Sequence, residues 1–325
     1  MHEYSDALRN NPNIDKLIAI DDDINFNGLR GLKRQIKLNN YDLIIDAHNN
    51  LRTFYLRFFL NCKKLKFKKH SFRKFLLVKF KINLMKDLPS IAERYCRMLT
   101  SSLTPLLKGG GKIENMAHPL SSQERGTEGE LHLPEVFPDE SSKQNVDELL
   151  TELKIGKDKK LICIVPSSKH FTKTYPAEYY SELINKFDSG RDRTVFCPYF
   201  LLIGKGNDKI NIGKIKSQTG SNIIDLCNKL NILEMAELMK KCWLVISGDT
   251  GPMHIAEAVN APLIMLAGSS VREFGFYPQN KNSLVLENNE LKCRPCSHIG
   301  RSSCPKGHFK CMVDIKPEQI FEKIQ

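Results

Sequence analysis

The sequence has no long apolar run. Its hydrophobic segments, LIAI, DLIIDA, KLICIVP, YFLLIG, WLVIS and PLIMLA, fall well short of the ~20 residues that a membrane span requires. It also lacks the charged, apolar and small-residue regions of a signal peptide, since Met1-His2-Glu3-Tyr4-Ser5-Asp6 is polar. Both absences set the expectation of a soluble, cytoplasmic protein. Acidic residues are missing from one stretch: from Arg52 to Lys86 there are twelve Lys and Arg and no Asp or Glu. Those twelve charges equal the formal excess of the whole chain, +12, so the remainder is nearly balanced. A basic segment of this kind attracts phosphate, in nucleic acid, acidic lipid headgroups or a phosphorylated glycolipid. The plainer reading is a solvated surface on a lysine-rich chain.

The ten cysteines do not have the pattern of a secreted disulfide scaffold. Cys62, Cys96, Cys163, Cys197, Cys227 and Cys242 are scattered singly through apolar segments, where cysteine acts as a small hydrophobe. Cys293, Cys296, Cys304 and Cys311 cluster instead.

With 325 residues and 41% hydrophobic composition, the chain can bury two ordinary cores. In the first third, Leu17–Ile20 and Leu43–Ala47 read as buried strands, and Leu29–Leu38 and Ile91–Leu103 as helices. This alternation favours an α/β domain with a parallel sheet over residues 1–103. The pattern then stops. From Thr104 to Pro134, glycines and a Ser/Glu/Gly/Arg-rich run leave too little apolar surface to offset ordering entropy, so 104–142 reads as a disordered insertion or linker. A second βα series fills 143–325. Its strands are Leu161–Val165, Tyr199–Ile203, Asn222–Leu226, Leu244–Ser247 and Leu263–Ala267, with helices opening at Pro176, around Leu233–Leu238 and at Gly251.

The most informative segment is Ile246-Ser247-Gly248-Asp249-Thr250-Gly251-Pro252-Met253-His254. A strand ends, an acid and a hydroxyl follow, and a helix begins. A helix N-terminus presents unpaired N–H groups and a positive dipole end, which suits a diphosphate. Thr250 adds a hydroxyl, Asp249 can accept from sugar hydroxyls, and His254 sits one turn into the helix. Taken alone, Asp-Thr-Gly could be only an N-cap and a tight turn. Two further strand ends join it: Val165-Pro166-Ser167-Ser168 leading to Lys173-Thr174-Tyr175-Pro176, and Gly204-Lys205-Gly206-Asn207-Asp208. Lys173 can neutralise a phosphate from there, and Asp208 falls near a nucleoside. Singly, these would be a surface lysine and an ordinary cap.

These motifs, with Phe274-Gly275-Phe276-Tyr277-Pro278, occur in an order and spacing that resembles the ADP-heptose:lipopolysaccharide heptosyltransferases of glycosyltransferase family 9. The late cysteines resemble the tail of that family's heptosyltransferase II branch. The Tyr41–Asp46 strand with Asn50-Leu51-Arg52 is similar to a strand and turn of its N-terminal domain. The resemblance implies a GT-B architecture: two Rossmann-like domains with parallel sheets facing a cleft, the first domain incomplete here. It implies donor-binding roles for Ser168, Lys173, Asp208, Asp249, Thr250, Gly251 and His254. It also implies an inverting, metal-independent transfer of heptose without a cofactor. The implied partners are ADP-heptose or a similar nucleotide sugar, a phosphorylated glycolipid acceptor and the inner-membrane surface, met through Arg52–Lys86; nucleic acid is not among them. The enzyme would be cytoplasmic and peripheral.

Two departures stand beside the resemblance. Family members open with a strand, a Gly-Asp loop and a helix ahead of the segment that begins here at Tyr4. That loop carries the expected catalytic base, so no base is assigned here, and a shortened relic that binds donor without transfer is the competing reading. Asp46 is the next carboxylate to test, although its strand position suits a buried structural role. The second departure is Cys227-Asn228-Lys229, where the family has glycine. A reading from another class, a basic zinc module on nucleic acid, finds no recognition-helix pattern, and the basic stretch and the cysteines lie far apart in sequence.

The late cysteines keep two readings. Cys293-x₂-Cys296 is a good half-site for zinc, whereas Cys304-x₆-Cys311 is not a common finger spacing. The alternative is reduced thiols packing a loop against the donor domain. Elemental analysis of chelator-free protein separates them. A full equivalent of zinc, with a looser tail beyond Leu291 in Cys296→Ser, is the outcome of the metal reading, and substoichiometric zinc that of the packing reading.

Overall fold

The structure is a computed structural model that describes residues 2–21, 23–98, 133–189, 198–220 and 222–324. The body expected to be disordered, 104–132, lies outside the described residues.

The chain opens with α1 (His2–Arg9), which packs on the second unit, Ala7 lying against Val136, Leu233 and Ala236; the first unit itself begins with α2 (Phe26–Leu38), started by the Asn25 side chain accepting from the Gly28 amide. Strand β1 (Leu43–Asp46) and strand β2 (Lys63–Lys66) pair in parallel, from Leu43 opposite Lys63 to Asp46 opposite Lys66. Helix α3 (Leu51–Arg57) makes the crossover and is fixed by reciprocal hydrogen bonds between Asn50 and Thr53. Helices α4 (Ser71–Phe80) and α5 (residues 91–98) complete the unit. β2 was hidden in the sequence because Lys-Lys-Leu-Lys reads as part of a charge run; only Leu65 turns inward.

Leu17–Ile20 does not form the expected strand. The segment carries no ladder, and Leu17 and Ile18 are exposed. An apolar tetrapeptide becomes a strand only when a neighbour takes up its backbone groups, and the two-stranded sheet offers it none among the described residues.

Asp46 ends β1 buried, with its carboxylate 3.0 Å from the Arg57 guanidinium and accepting the Asn49 amide at 2.6 Å. Arg57 is likewise buried. The pair ties the end of β1 to the last turn of α3. Asp46 therefore has the structural role that its strand position suggested.

The second unit begins with α6 (Glu140–Glu152), capped by Asp139 and preceded by the buried Val136, so its packed chain starts before residue 143. The strands are β3 (Leu161–Val165), β4 (Tyr199–Leu202), β5 (Ile223–Asp225), β6 (Leu244–Gly248), β7 (Leu263–Ala267) and β8 (Ser283–Glu287). They form one parallel sheet in the order β5-β4-β3-β6-β7-β8. Every residue of β3, β6 and β7 is buried, as expected for central strands covered on both faces. The sequence reading missed β8, a half-buried edge strand. The connecting helices are α7 (Ala177–Ser189), α8 (Asp208–Ser217), α9 (Ile232–Lys241) and α10 (Gly251–Ala258). The short α11 (Lys310–Val313) and α12 (Pro317–Glu322) close the chain over α7 and β7. Two apolar clusters, one on each face of the sheet, make the core.

The units meet along a narrow seam. The Ile91 amide donates to the Gly275 carbonyl at 2.9 Å, Asn83 to Glu273 at 2.7 Å, and Lys81 to the carbonyls of Cys293 and Pro295 at 3.0 and 2.6 Å. Gly275 is required there, because a Cβ would stand 2.9 Å from the Ile91 nitrogen and its φ is +84°.

Replacing Asp46 by Asn keeps the shape but leaves Arg57 as an uncompensated buried charge. The expected cost is about 3 kcal/mol, read as faster hydrogen exchange of the β1 and β2 amides. Unchanged exchange would contradict the role given to this pair.

Candidate active site

The order of the large sheet locates the site before any side chain does. From β3 the chain winds outward through β4 and β5, then returns to place β6 on the other side of β3. The connections therefore leave in opposite directions at the carboxyl ends of β3 and β6, opening a crevice there. The Val165–Ser168 and Gly248–His254 segments both leave from this crevice.

Lys173 and Asp249 meet in it. Their side chains are only 13% and 6% exposed, and the ammonium lies 2.6 Å from the carboxylate. Neither charge would be stable there alone, since desolvating an isolated ion costs several kcal/mol. The Lys173 turn (Phe171–Lys173) is wedged between two glycines. A Cβ on Gly248 would stand 2.5 Å from the Lys173 carbonyl oxygen, and one on Gly268 would stand 2.5 Å from that of Thr172. Thr172 is almost wholly buried. Its carbonyl accepts from the Ser269 amide, its amide donates to the Arg301 carbonyl, and its hydroxyl accepts from the Arg301 amide at 2.9 Å. The ammonium is thus held from both sides, by the loop after β7 and by the cysteine-rich tail.

Thr250 is the N-cap residue of α10, yet its side chain makes no capping bond and instead lies 3.1 Å from the Ser247 hydroxyl. Pro252 in the first turn has no N–H to satisfy. The first-turn amides of Gly251 and Met253 have no intrahelical partner, and Asp249 immediately precedes the N-cap. His254 is 40% exposed on the same turn, 3.8 Å from the Glu257 carboxylate and edge-on to Phe276.

The other residues singled out in the sequence are placed unevenly. Ser168 is half-buried in the β3 turn, its amide donating to Thr174 and its hydroxyl accepting from the His170 amide. Asp208 begins α8 beyond β4, and its carboxylate accepts the Lys205 amide at 2.9 Å, closing the Gly204 turn. Asn228 resolves the question about its loop: it adopts φ 60°, a conformation that glycine takes freely and asparagine tolerates, and its side chain accepts from the Gly206 amide.

Across the seam lies a cavity of about 410 Å³ with walls from both units, among them His48, Lys69, Ser71 and Lys74 from the first and Phe276 and His298 from the second. The Lys74 ammonium stands over the Phe276 ring, whose other neighbour is His254. Phe276 therefore separates the α10 end from this cavity. Burial, then Arg94 and Lys69, pull the Lys74 pKa below its ordinary value. His298 is lowered by burial, then by Lys74 and Lys173, so its imidazole is neutral at pH 7. Cations crowded this way favour an anionic ligand. Phe276 stood in a motif that carried the family resemblance, but its place between the α10 end and this cavity, like that of His298, comes only from tertiary packing.

The late cysteines lie within electrostatic reach of one another in the tail. Among the described residues, no group of three His, Cys, Asp or Glu is arranged to hold a metal ion. Cys293 lies 3.9 Å from His308, whereas Cys311 is buried, its thiol pushed up to about 12 by burial. Between them Arg294 is buried and donates to the carbonyls of Ala267 and Ser270, the Tyr277 hydroxyl and the Glu287 carboxylate. The sequence reading did not anticipate this clamp. It fastens the tail to the loop after β7, and through that loop to Thr172.

The chain is 27% identical over 170 residues to a lipooligosaccharide heptosyltransferase 2 of Campylobacter jejuni subsp. jejuni, a match covering 51% of each chain, so it spans about half the length of that relative. Its fold is that of a glycosyl transferase family 9 structure from Veillonella parvula, with TM-score 0.71 and 21% identity over 99% of this chain and 84% of the other. It also matches the fold of E. coli ADP-heptose lps heptosyltransferase II, with TM-score 0.60 and 18% identity over 92% of this chain and 80% of the other. The family described as glycosyltransferase family 9 (heptosyltransferase) matches residues 29–306, and the chain belongs to that family.

Proposed function

We propose that the chain binds ADP-heptose or a similar nucleotide sugar at the β3/β6 crevice and transfers the heptose to a phosphorylated lipopolysaccharide inner-core acceptor. The observation that carries the donor half is the buried Lys173–Asp249 pair beside the uncapped start of α10. A diphosphate there meets an ammonium and helix N–H groups together, so leaving-group charge is stabilised by the protein's own groups. Asp249 keeps one oxygen for Lys173 and can offer the other to a sugar hydroxyl. Thr250, Gly251 and His254 lie around the same turn, with Ser168 across from it. Asp208 contributes by holding the Gly204 turn, its carboxylate being engaged by the Lys205 amide.

The acceptor half is supported by the cavity between the units, where Lys69 and Lys74 offer cations to a phosphorylated sugar. Attack from that side on the anomeric carbon would invert it, with the acceptor proton passing to a base as the bond forms. Asp46 does not serve as that base in this reading, because it is committed to Arg57. No helix among the described residues is long and apolar enough to cross a membrane, so the acceptor lipid is approached from its surface.

Lys173→Ala is expected to weaken ADP binding by about 1.5–3 kcal/mol, the range of a charged hydrogen bond. Because the substitution also strands Asp249, the Lys173→Ala/Asp249→Asn double variant is the control: it should recover thermal stability without recovering affinity. Calorimetric titration with equal ADP affinity in wild type and Lys173→Ala would remove this assignment.

The transfer half has its own measurement, coupled release of ADP from ADP-heptose in the presence of a heptose-free inner-core glycolipid. Lys74→Ala should raise the acceptor KM by about tenfold and leave ADP affinity unchanged. Donor binding with no turnover would instead select the donor-binding relic.

A further inference from the structure

The structure divides the basic stretch into groups with different tasks. Arg57 turns inward to Asp46, Lys74 faces the cavity between the units, and Lys81 binds carbonyls of the tail. What remains at the end of α3 is an apolar knob. Phe54, Phe58 and Phe59 are 46%, 45% and 83% exposed, and they stack on one another, with ring centroids 5.3 Å apart for Phe54–Phe58 and 4.2 Å for Phe58–Phe59. We infer that this knob inserts into the surface of a bilayer containing anionic lipid.

Three observations carry the inference. Phe59 is doubly unfavourable in water: it projects its ring into solvent from a left-handed backbone, φ 58°, a conformation rare for bulky side chains. Burial of the ring in acyl chains would offset what the fold itself does not. Second, the knob is ringed by cations. The Lys33 ammonium lies 5.9 Å from the Phe58 ring centre, and Lys64 lines the same surface depression as the three rings, while Arg57 beneath Phe54 stays committed to Asp46. Lysine stems can lie along the apolar surface while their heads reach lipid phosphates. Third, no acidic residue from 52 to 86 opposes such contact. The rings are packed tilted against one another, an apolar wedge and not a row of separate flat faces on which nucleic-acid bases would stack.

This surface stands apart from the nucleotide-sugar site, so the two can fail separately. The test is sedimentation of the full chain with vesicles of phosphatidylglycerol mixed with phosphatidylcholine, against phosphatidylcholine alone. The expected result is binding to the mixed vesicles that weakens as salt is raised. The Phe58→Ser/Phe59→Ser double variant should lose about tenfold in partitioning, with unchanged thermal unfolding and unchanged ADP titration. In Phe59→Trp, mixed vesicles should shift the added fluorescence to the blue, beyond any change given by Trp243 in the wild type. Equal sedimentation of the double variant and wild type would overturn the inference. So would wild-type protein that ignores the mixed vesicles, or that prefers duplex DNA to them.

Discussion

An ammonium and a carboxylate brought 2.6 Å apart in a largely dry crevice are the constraint around which the second unit is organised. Each is tolerable only because the other is present. Keeping them in register demands that the Lys173 turn come against the ends of β6 and β7, which in turn demands glycine at 248 and 268. It also demands something behind the turn. Thr172 supplies the connection, bonding the β7 loop on one side and Arg301 of the tail on the other. The cysteine-rich tail is thus a brace for the β3/β6 crevice. Arg294, with six acceptors converging on its guanidinium from β7, the loop after it, the end of β8 and the turn that follows, is the rivet of that brace.

Charge on the first unit follows a different logic. A run of twelve cations would repel itself if all its members faced one way. The fold disperses them: Arg57 is neutralised by a buried carboxylate, Lys69 and Lys74 line the cavity between the units, Lys81 binds carbonyls of the tail, and others stay in water. Lys74 shows the consequence, its ammonium disfavoured by burial and by its cationic neighbours. An anion arriving in that cavity relieves both effects, which gives a phosphorylated acceptor a reason to bind at the seam.

The seam itself is thin, a few hydrogen bonds and the Gly275 turn. Interfaces of that kind permit relative motion of the units. In the proposed reaction, such motion would bring the cavity against the α10 end and exclude water as the sugar moves. Phe276 stands between the two, in contact with His254 on one side and beneath Lys74 on the other.

Much of the second unit was determined by the sequence alone. Five of its strands are short apolar runs, three of them, β3, β6 and β7, buried on both faces, and such runs announce themselves because little polar can be accommodated in them. The Asp249–His254 segment was equally legible, since a strand end, an acid and a helix start in succession leave few alternatives. Other features were decided only by tertiary structure. Leu17–Ile20 has a strand's composition but no neighbour to pair with, while Lys63–Lys66 has a poor strand's composition and becomes one because β1 accepts it. Lys173 and Asp249 were each marked as ligands, yet nothing in their spacing said that they would neutralise each other. That depends on β6 lying next to β3, a pairing between segments some eighty residues apart. The roles of Phe276, His298 and Arg294 were unreadable for the same reason: they come from what the fold sets against these residues, and local sequence does not encode that.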